Sequence, residues 1–316
     1  MLIRHLRFFV VLAEEQHFGR AAELCSVTQP TLSQAIRKIE EELDLALIIR
    51  GHRFMSLTPE GEKVLRWGRQ ILADYDSLHD DLMGKRKGGL TGTLRLGVIP
   101  AAMPSVSFLT EQFEERNPLA QVEIRSMSSR AIEKSLENFE IDGGITYLDN
   151  EPLENVSRFP LYHERYVFAC RSDHPLAEVG TVTWAEAVTQ PLCLLSEDMQ
   201  NRRILNGIAA SAGVELRPKV ISNSFLGVAS HLRHGHWCAI VPHSFGFVFG
   251  DTSDLALLDM VEPVHHQAIG LVLADRLPQS PMAFALQECA RKADIERRIE
   301  AVFDRRTATQ TRQAMA

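Results

Sequence analysis

Residues 28–43 read TQPTLSQAIRKIEEEL, and this stretch decides the fold of the first third of the chain. Thr28 is a candidate N-cap, and Pro30 is tolerated in a first helical turn. Apolar residues then recur at intervals of four, three and four, which buries one face of the predicted helix: Leu32, Ile36, Ile39 and Leu43. The opposite face carries short polar side chains and then cations, which suits reading of the DNA major groove beside phosphate contacts: Gln29, Thr31, Ser33, Gln34, Arg37 and Lys38.

The segments around this helix predict a winged helix-turn-helix. Two amphipathic helices precede it, with apolar stripes at Leu6, Phe9, Val10 and Ala13 and at Ala21, Ala22 and Leu24. Two β-prone runs follow it, LALII and FMSL, and they flank residues 50–53. This pattern predicts a hairpin that carries Arg50 and Arg53 at its tip, beside the groove-reading helix.

A long helix is predicted to begin at Thr58-Pro59-Glu60, where a cap, a proline and an acid facing the helix dipole come together. Its apolar residues repeat at intervals of four and three over nearly three heptads: Val64, Gly68, Ile71, Tyr75, Leu78 and Leu82. Such a seam favours pairing with a second copy of the chain over packing against its own chain.

From about residue 92 the pattern changes to short apolar strands that alternate with amphipathic helices. TLRLGVI, VEIRS and GGIT predict one α/β lobe, PLCLL, VIS and CAIVP predict a second, and YVFAC and IGLVLA lie where the chain can cross between them. The expected fold class is α + α/β: an N-terminal winged helix-turn-helix, a long linker helix, and a two-lobed α/β effector domain resembling periplasmic binding proteins.

The expected domain boundaries follow from these changes of pattern. The DNA-binding domain spans residues 1–58, the linker and dimerisation helix 59–91, and the effector-binding domain 92–303. Lobe I covers about 92–166 and 270–303, lobe II covers about 167–269, and residues 304–316 are expected to form a flexible tail.

Composition restricts the classes of function. A length of 316 residues suits two or three domains, and 45% hydrophobic with 24% charged residues is ordinary for a globular protein. No apolar run is long enough for a membrane span, and the five cysteines are scattered without a CxxC pair, which fits a reducing cytoplasm. Charges balance over the first 87 residues, so contacts with DNA must depend on local placement of cations.

With these residues in view, the first 87 positions resemble the LysR-type transcriptional regulators. The resemblance rests on LRFFVVLAEEQHFGRAAELCSVTQPTLSQAIRKIEEEL and LTPEGEKVL, and continues more loosely through LRLGVIP, RSDHPLA and GHWCAIVP. It implies that Arg37 and Arg53 contact phosphates and that four residues read bases and backbone: Thr28, Gln29, Thr31 and Ser33. PLCLL, DMQNRR and ITYLDNEPL are similar to regulators found beside formate-metabolism genes.

The resemblance also implies an effector cleft between the lobes, lined by Pro100, Ala101, Ala102, Met103, Ser128, Ser129, Thr146, Met199, Gln200, Asn201, Arg202, Asn223 and Ser224. Where many members of the family place a serine or threonine, this chain has Ala101 and Ala102, so an anion there relies on backbone N–H groups. Small neutral side chains at helix N-termini suit a carboxylate or another small anion, formate among them, and either Arg202 or Arg203 is a candidate partner for its charge.

The expected partners are double-stranded DNA, the effector and further copies of the chain. The seam predicts a homodimer, the resemblance implies a homotetramer, and two helix-turn-helix units require an interrupted palindrome. No membrane partner is predicted, and the expected location is the cytoplasm.

Alternatives from other classes stay open. A metal sensor would use the histidines of HLRHGH and its surroundings, although only the first two share a helix face: His231, His234, His236, His243, His265 and His266. A redox sensor would use Cys25, Cys193 or Cys238. An enzyme, or a small-molecule binding module without DNA function, is a further alternative. No GxSxG, GxGxxG, HExxH or P-loop pattern is present, so no catalytic residue, metal or cofactor is predicted.

Overall fold

The structure is a computed structural model, and it describes residues 2–50, 54–87, 89–149, 153–249 and 254–301. Contacts divide the chain into two compact units, Met1–Leu90 with Glu137–Glu140, and Thr91–Leu136 with Ile141–Ala316. The predicted tail at residues 304–316 lies outside the described residues. The domain boundaries given above stay predictions.

The first unit is helical and carries one small hairpin. Its elements are α1 Ile3–Glu15, α2 Phe18–Leu24, α3 Gln29–Leu43, β1 Ile48–Arg50, β2 Phe54–Leu57 and α4 Pro59–Lys87. The two strands pair antiparallel, as the wing prediction requires. Helices α1 to α3 bury their apolar stripes in one core, which includes Leu6, Phe9, Leu32, Ile36 and Ile39.

Two leucines of the apolar stripes are not part of this core. Leu24 is 66% exposed and Leu43 is 39% exposed. Each is the last residue of its helix, α2 and α3 respectively. The prediction that Leu43 lies on the buried face was therefore wrong.

The heptad seam of α4 divides into two halves. Val64 and Ile71 pack partly against the core of the first unit. Gly68 is so close to α1 that an added Cβ would lie 3.0 Å from a methyl group of Leu6. Only the second half leaves its apolar side chains exposed: Tyr75, Leu78 and Leu82. The prediction that the seam pairs with a second copy of the chain and not with its own chain was therefore wrong for the first half.

The second unit is a mixed α/β structure. Its elements are β3 Gly92–Val98, α5 Val106–Arg116, β4 Ala120–Ser126, α6 Ser129–Glu137, β5 Gly143–Tyr147, β6 Val156–Arg171, β7 Thr181–Thr183, α7 Trp184–Ala187, β8 Cys193–Leu195, α8 Gln200–Ser211, β9 Val220–Ser222, α9 Phe225–Arg233, β10 Ala239–Pro242, α10 Phe245–Phe249, β11 Leu255–Val261, β12 His266–Ala274 and α11 Pro281–Ala290.

The long strand β6 joins two lobes. Its first part, through Arg165, pairs antiparallel with β12, and its second part, from Tyr166, pairs with β10 and β11. Strand β12 also pairs with β5, which continues in parallel to β3 and β4. Lobe I is therefore built on β3, β4, β5, β12 and the first part of β6. Lobe II contains the second part of β6 with β7, β10 and β11, and the separate parallel pair β8–β9.

Helix α6 packs very closely on the sheet of lobe I. All five residues of β5 are buried, as expected for a strand covered on both faces. At Gly144 an added Cβ would lie 2.3 Å from a side-chain carbon of Ile132 in α6. Only glycine allows this approach, which holds α6 directly against β5.

Candidate functional site

Helix α3 presents the polar surface that the sequence predicted for groove reading. Six of its predicted contact residues are exposed: Thr28, Gln29, Thr31, Gln34, Arg37 and Lys38. Ser33 is half-buried beside Leu32, which is fully buried. Arg53 lies outside the described residues, and so does the side chain of Arg50, the last residue of β1.

Thr28 and Thr31 interact with each other at the start of α3. Thr28 is the N-cap, and its Oγ1 accepts a hydrogen bond from the backbone N–H of Thr31 at 3.4 Å. The two hydroxyl oxygens are 2.9 Å apart, so one hydroxyl donates to the other. These contacts fix the orientation of both hydroxyls at the end of the helix that is predicted to meet DNA.

A small cavity of about 10 Å³, room for about one water molecule, lies between the lobes of the second unit, lined by Ile99, Pro100, Ala101, Ser128, Ser129, Tyr147, Leu195, Met199, Gln200 and Asn201. The residues of lobe I follow the carboxyl ends of β3, β4 and β5, and those of lobe II join the end of β8 to the start of α8. Open α/β sheets place ligands at this kind of edge. Seven of the lining residues were predicted from sequence, and the other three are Ile99, Tyr147 and Leu195.

Six further residues predicted for the cleft do not line this cavity: Ala102, Met103, Thr146, Arg202, Asn223 and Ser224. Ala102 is fully buried and Met103 is 36% exposed. Thr146 precedes Tyr147 in β5, and successive side chains of a strand point to opposite faces. Asn223 and Ser224 are exposed, and the Ser224 hydroxyl caps α9.

Arg202 is buried, but its guanidinium is used inside lobe II. Nη1 donates to the backbone oxygen of Leu195 at 3.0 Å, and Nε donates to Oδ1 of Asn206 at 2.9 Å. Glu197 lies 3.7 Å from the same guanidinium. These contacts hold α8 against β8, and Arg202 does not line the cavity.

Two consecutive residues at the start of α8 make hydrogen bonds to lobe I. The Ser129 hydroxyl donates to Oε1 of Gln200, and Nδ2 of Asn201 donates to the Tyr147 hydroxyl at 3.0 Å. The N-cap of α8, Met199, has no side-chain hydrogen bond to the helix. Among the described residues, Nε2 of Gln200 and Oδ1 of Asn201 are buried without a hydrogen-bond partner. The cavity therefore contains an uncapped helix N-terminus and unused polar groups.

Behind Tyr147 lies a buried carboxyl group that sequence reasoning missed. The Tyr147 hydroxyl is 2.9 Å from Oε1 of Glu164, and Glu164 is completely buried. Burial raises the pKa of Glu164 to about 8, although hydrogen bonds from Tyr147 and Tyr166 act in the opposite direction. The one signal in the sequence was an acid placed just before the apolar run YVFAC.

Burial opposes ionisation of the cysteine thiols, including that of Cys238, whose Sγ lies 3.6 Å from Nε2 of His174. Burial raises the pKa of Cys170 and Cys238 to about 12, and that of Cys193 to about 11. Burial also raises the pKa of Cys25. Reactive cysteines need the opposite shift, because the thiolate is the reactive form.

The histidines are also accounted for by local contacts. Nδ1 of His231 lies 2.8 Å from the backbone oxygen of Gly227, and His236 stacks on Trp237. His243 is buried, and burial lowers its pKa to about 3. Within the described part of the chain, no group of three or more His, Cys, Asp and Glu side chains is arranged to hold a metal ion.

Comparison with known proteins identifies the family. The model of the LysR substrate binding domain matches residues 87–294. The model of the bacterial regulatory helix-turn-helix protein, lysR family, matches residues 3–62. The chain belongs to the LysR family of transcriptional regulators. It is a LysR-type regulator with an N-terminal helix-turn-helix and an effector-binding domain, and the predicted fold class is confirmed.

Individual relatives agree with this assignment. The chain is 35% identical over 195 residues to YnfL of Escherichia coli, an uncharacterized HTH-type transcriptional regulator, with 60% of this chain and 64% of YnfL covered. It is 27% identical over 307 residues to the DNA-binding transcriptional dual regulator OxyR of Escherichia coli, with 96% and 98% covered. The structure of a full-length OxyR variant from Pseudomonas aeruginosa shares the fold, with a TM-score of 0.73, 24% identity, and 94% and 97% covered.

None of the helices in the described ranges combines the length and the apolar character that a membrane crossing needs. The association with formate metabolism and the individual contact residues stay predictions.

Proposed function

We propose that this LysR-type regulator reads DNA with the exposed face of α3 and responds to a small anion in the cavity between its lobes. Bases are read by the start of α3, from Gln29 to Ser33, and phosphates are contacted by Arg37, Lys38, Arg50 and Arg53. The exposure of Gln29 and Arg37, on a helix whose opposite face is buried, supports this assignment. Because the proposed target is DNA, the proposed place of action is the bacterial cytoplasm.

The second half of the α4 seam supports the proposed assembly. Tyr75, Leu78 and Leu82 form an exposed apolar stripe on one helix, and a second copy of the chain is its proposed cover. Two helix-turn-helix units then bind an interrupted palindrome whose half-sites are about one helical turn apart, or a multiple of it. Further pairing through the α/β units gives the proposed tetramer.

The proposed effector is a carboxylate or another small anion. The observation that carries this proposal is the uncapped N-terminus of α8, where buried Gln200 has an Nε2 without a partner among the described residues. Free N–H groups and the positive end of the helix dipole stabilise an anion there. The cavity of about 10 Å³ has room for about one water molecule, so an effector must move the start of α8 away from lobe I to enter. An effector of few atoms needs the smallest movement, and formate is one candidate.

Thermal unfolding of the full chain tests the effector class. Formate, acetate, sulfate and phosphate are compared with an aromatic and a cationic metabolite. A ligand at 100 times its dissociation constant stabilises the native state by about 2.7 kcal/mol. Gln200→Ala should lose this stabilisation, whereas the exposed Asn223→Ala serves as the matched control and should keep it. Stabilisation by the aromatic or cationic compound alone contradicts the anion proposal.

A further inference from the structure

Glu164 lies at the place where the chain passes from lobe I to lobe II. It pairs with Gln267 of β12, and Arg165 makes the last pair of β6 with that strand. From Tyr166 onward, β6 pairs with β10 of lobe II. The carboxyl group is completely buried at this junction. Glu164 is therefore a buried acid on the strand that connects the two lobes, at the point where the pairing changes from one lobe to the other.

One chain of hydrogen bonds leads from Glu164 to the cavity and across it. Oε1 of Glu164 lies 2.9 Å from the Tyr147 hydroxyl, which in turn accepts a hydrogen bond from Nδ2 of Asn201 at 3.0 Å. Tyr147 and Asn201 both line the cavity, and Asn201 belongs to α8 of lobe II. Glu164 does not line the cavity, so any influence on a ligand passes through Tyr147.

The surroundings of Glu164 favour its neutral form. Its titratable neighbours are tyrosines, Tyr147 from β5 and Tyr162 and Tyr166 from β6, and burial raises the pKa of each of them, so all three are neutral at physiological pH. From β12, Gln267 pairs with Glu164, and its Nε2 lies 3.4 Å from Oδ2 of Asp149. The adjacent Arg165 directs its guanidinium to Asp259 and Glu300.

The position of the Glu164 proton decides what Tyr147 offers to a ligand. An ionised Glu164 can only accept, so the Tyr147 hydroxyl must donate to it and has no proton left for the cavity. A protonated Glu164 can donate to the Tyr147 oxygen instead. Tyr166 also acts as a hydrogen-bond donor to the Glu164 carboxyl group. When Tyr166 donates to one carboxyl oxygen, the proton of neutral Glu164 is left on Oε1, which faces Tyr147. The Tyr147 proton is then available to the cavity.

We propose that Glu164 determines the specificity of the effector site by controlling the Tyr147 hydroxyl. As a neutral acid it donates to Tyr147, and Tyr147 donates into the cavity to an anionic ligand. When Glu164 is ionised, the Tyr147 hydroxyl donates to Glu164 and this donor is withdrawn from the cavity. Binding of the anion is therefore linked to protonation of Glu164, which acts as a positioning residue. This inference rests on the proposed function, a small-anion effector.

Calorimetric titration of the full chain with formate and with acetate between pH 6 and pH 9 tests the inference. Both probes are carboxylates with a pKa near 4, so their own charge does not change in this range. The wild-type dissociation constant should stay level near pH 6 and rise about tenfold by pH 9, since the pKa of Glu164 is about 8. Near pH 8, binding should take up a fraction of a proton, measured in buffers of different ionisation enthalpy.

Three variants separate this mechanism from a structural effect. Glu164→Gln keeps a neutral donor beside Tyr147, so it should bind the probes as the wild type does at pH 6 and keep that affinity at pH 9. Tyr147→Phe should bind more weakly at pH 6 and also lose the pH dependence. Glu115→Gln makes the same chemical change on the exposed surface of α5 and should behave as the wild type does. Tyr147→Phe keeps the inference testable if Glu164→Gln does not fold.

The outcomes distinguish this inference from the proposed function. Two results overturn the role of Glu164 and leave the anion site standing. One is a wild-type dissociation constant that does not change up to pH 9. The other is a Glu164→Gln variant whose affinity falls with rising pH as that of the wild type does. An absence of binding of either probe to the wild type at every pH overturns both. Binding with the expected pH dependence, abolished by Glu164→Gln, supports both.

Discussion

The substitution Leu78→Asp removes an apolar side chain from the second half of α4, which is not part of the hydrophobic core of the first unit. Leu78 is 58% exposed, between Tyr75 and Leu82 on the same stripe. Complete burial of a leucine contributes about 1.5–3 kcal/mol, so covering the exposed half contributes about 1–1.5 kcal/mol. A symmetric dimer buries two copies of Leu78, so the substitution removes about 2–3 kcal/mol of association free energy. This loss corresponds to a rise of about 30- to 150-fold in the dissociation constant of the dimer. The cost of burying a carboxylate adds to this rise.

Sedimentation equilibrium over a range of protein concentrations measures this change. Ser77→Asp adds the same charge to the neighbouring position of α4 and should leave the dimer intact. Ile71→Asp is not an equivalent test, because Ile71 packs against the core of the first unit and its loss also destabilises the fold. A Leu78→Asp variant with the wild-type dissociation constant and an unchanged melting temperature refutes the reasoning.

Three further predictions concern DNA and pH. Gln29→Ala should weaken binding to the operator by about 1–3 kcal/mol and change binding to random DNA little, as measured by competition in fluorescence anisotropy. An equal loss of affinity for the operator and for random DNA contradicts base reading by Gln29. Arg37→Ala should weaken binding to both and lower the slope of log affinity against log salt by about one, and an unchanged slope contradicts the phosphate contact. Because the folded-state pKa of Glu164 is raised to about 8, stability should fall as the pH rises from about 5 to about 8. Glu164→Gln should flatten that fall in urea unfolding, and an unchanged fall contradicts the raised pKa.

The helix-turn-helix could be predicted in detail because its signals are local. Thr28 caps α3, and the buried residues Leu32, Ile36 and Ile39 follow the helical period. The same period was misleading for α4. Periodicity shows which face of a helix is apolar, but not which part of the protein covers it. Contact of Gly68 with Leu6 depends on the packing of α1, which no local pattern contains.

The cavity was predictable in part for a similar reason. Residues that follow strand ends, such as Ser129 and Gln200, could be placed at one edge of the sheet from the order of the elements. Asn223 follows β9 in the same way, yet it is exposed and does not line the cavity. Among the described strands, β9 pairs with β8 in a sheet separate from that of lobe I. Glu164 could not be identified because its burial depends on the pairing of β6 with β12, more than 100 residues along the chain.

The hydrogen bonds at the start of α8 explain how occupancy of the cavity can change the arrangement of the lobes. Gln200 bonds to Ser129 and Asn201 bonds to Tyr147, so the same polar groups hold the two lobes together and line the cavity. A ligand that accepts from these groups replaces contacts between the lobes with contacts to itself. Its binding free energy must then differ between lobe arrangements, which is the condition for a ligand to shift a conformational equilibrium. Arg202 holds α8 to β8, so a displacement of the helix start moves lobe II with it.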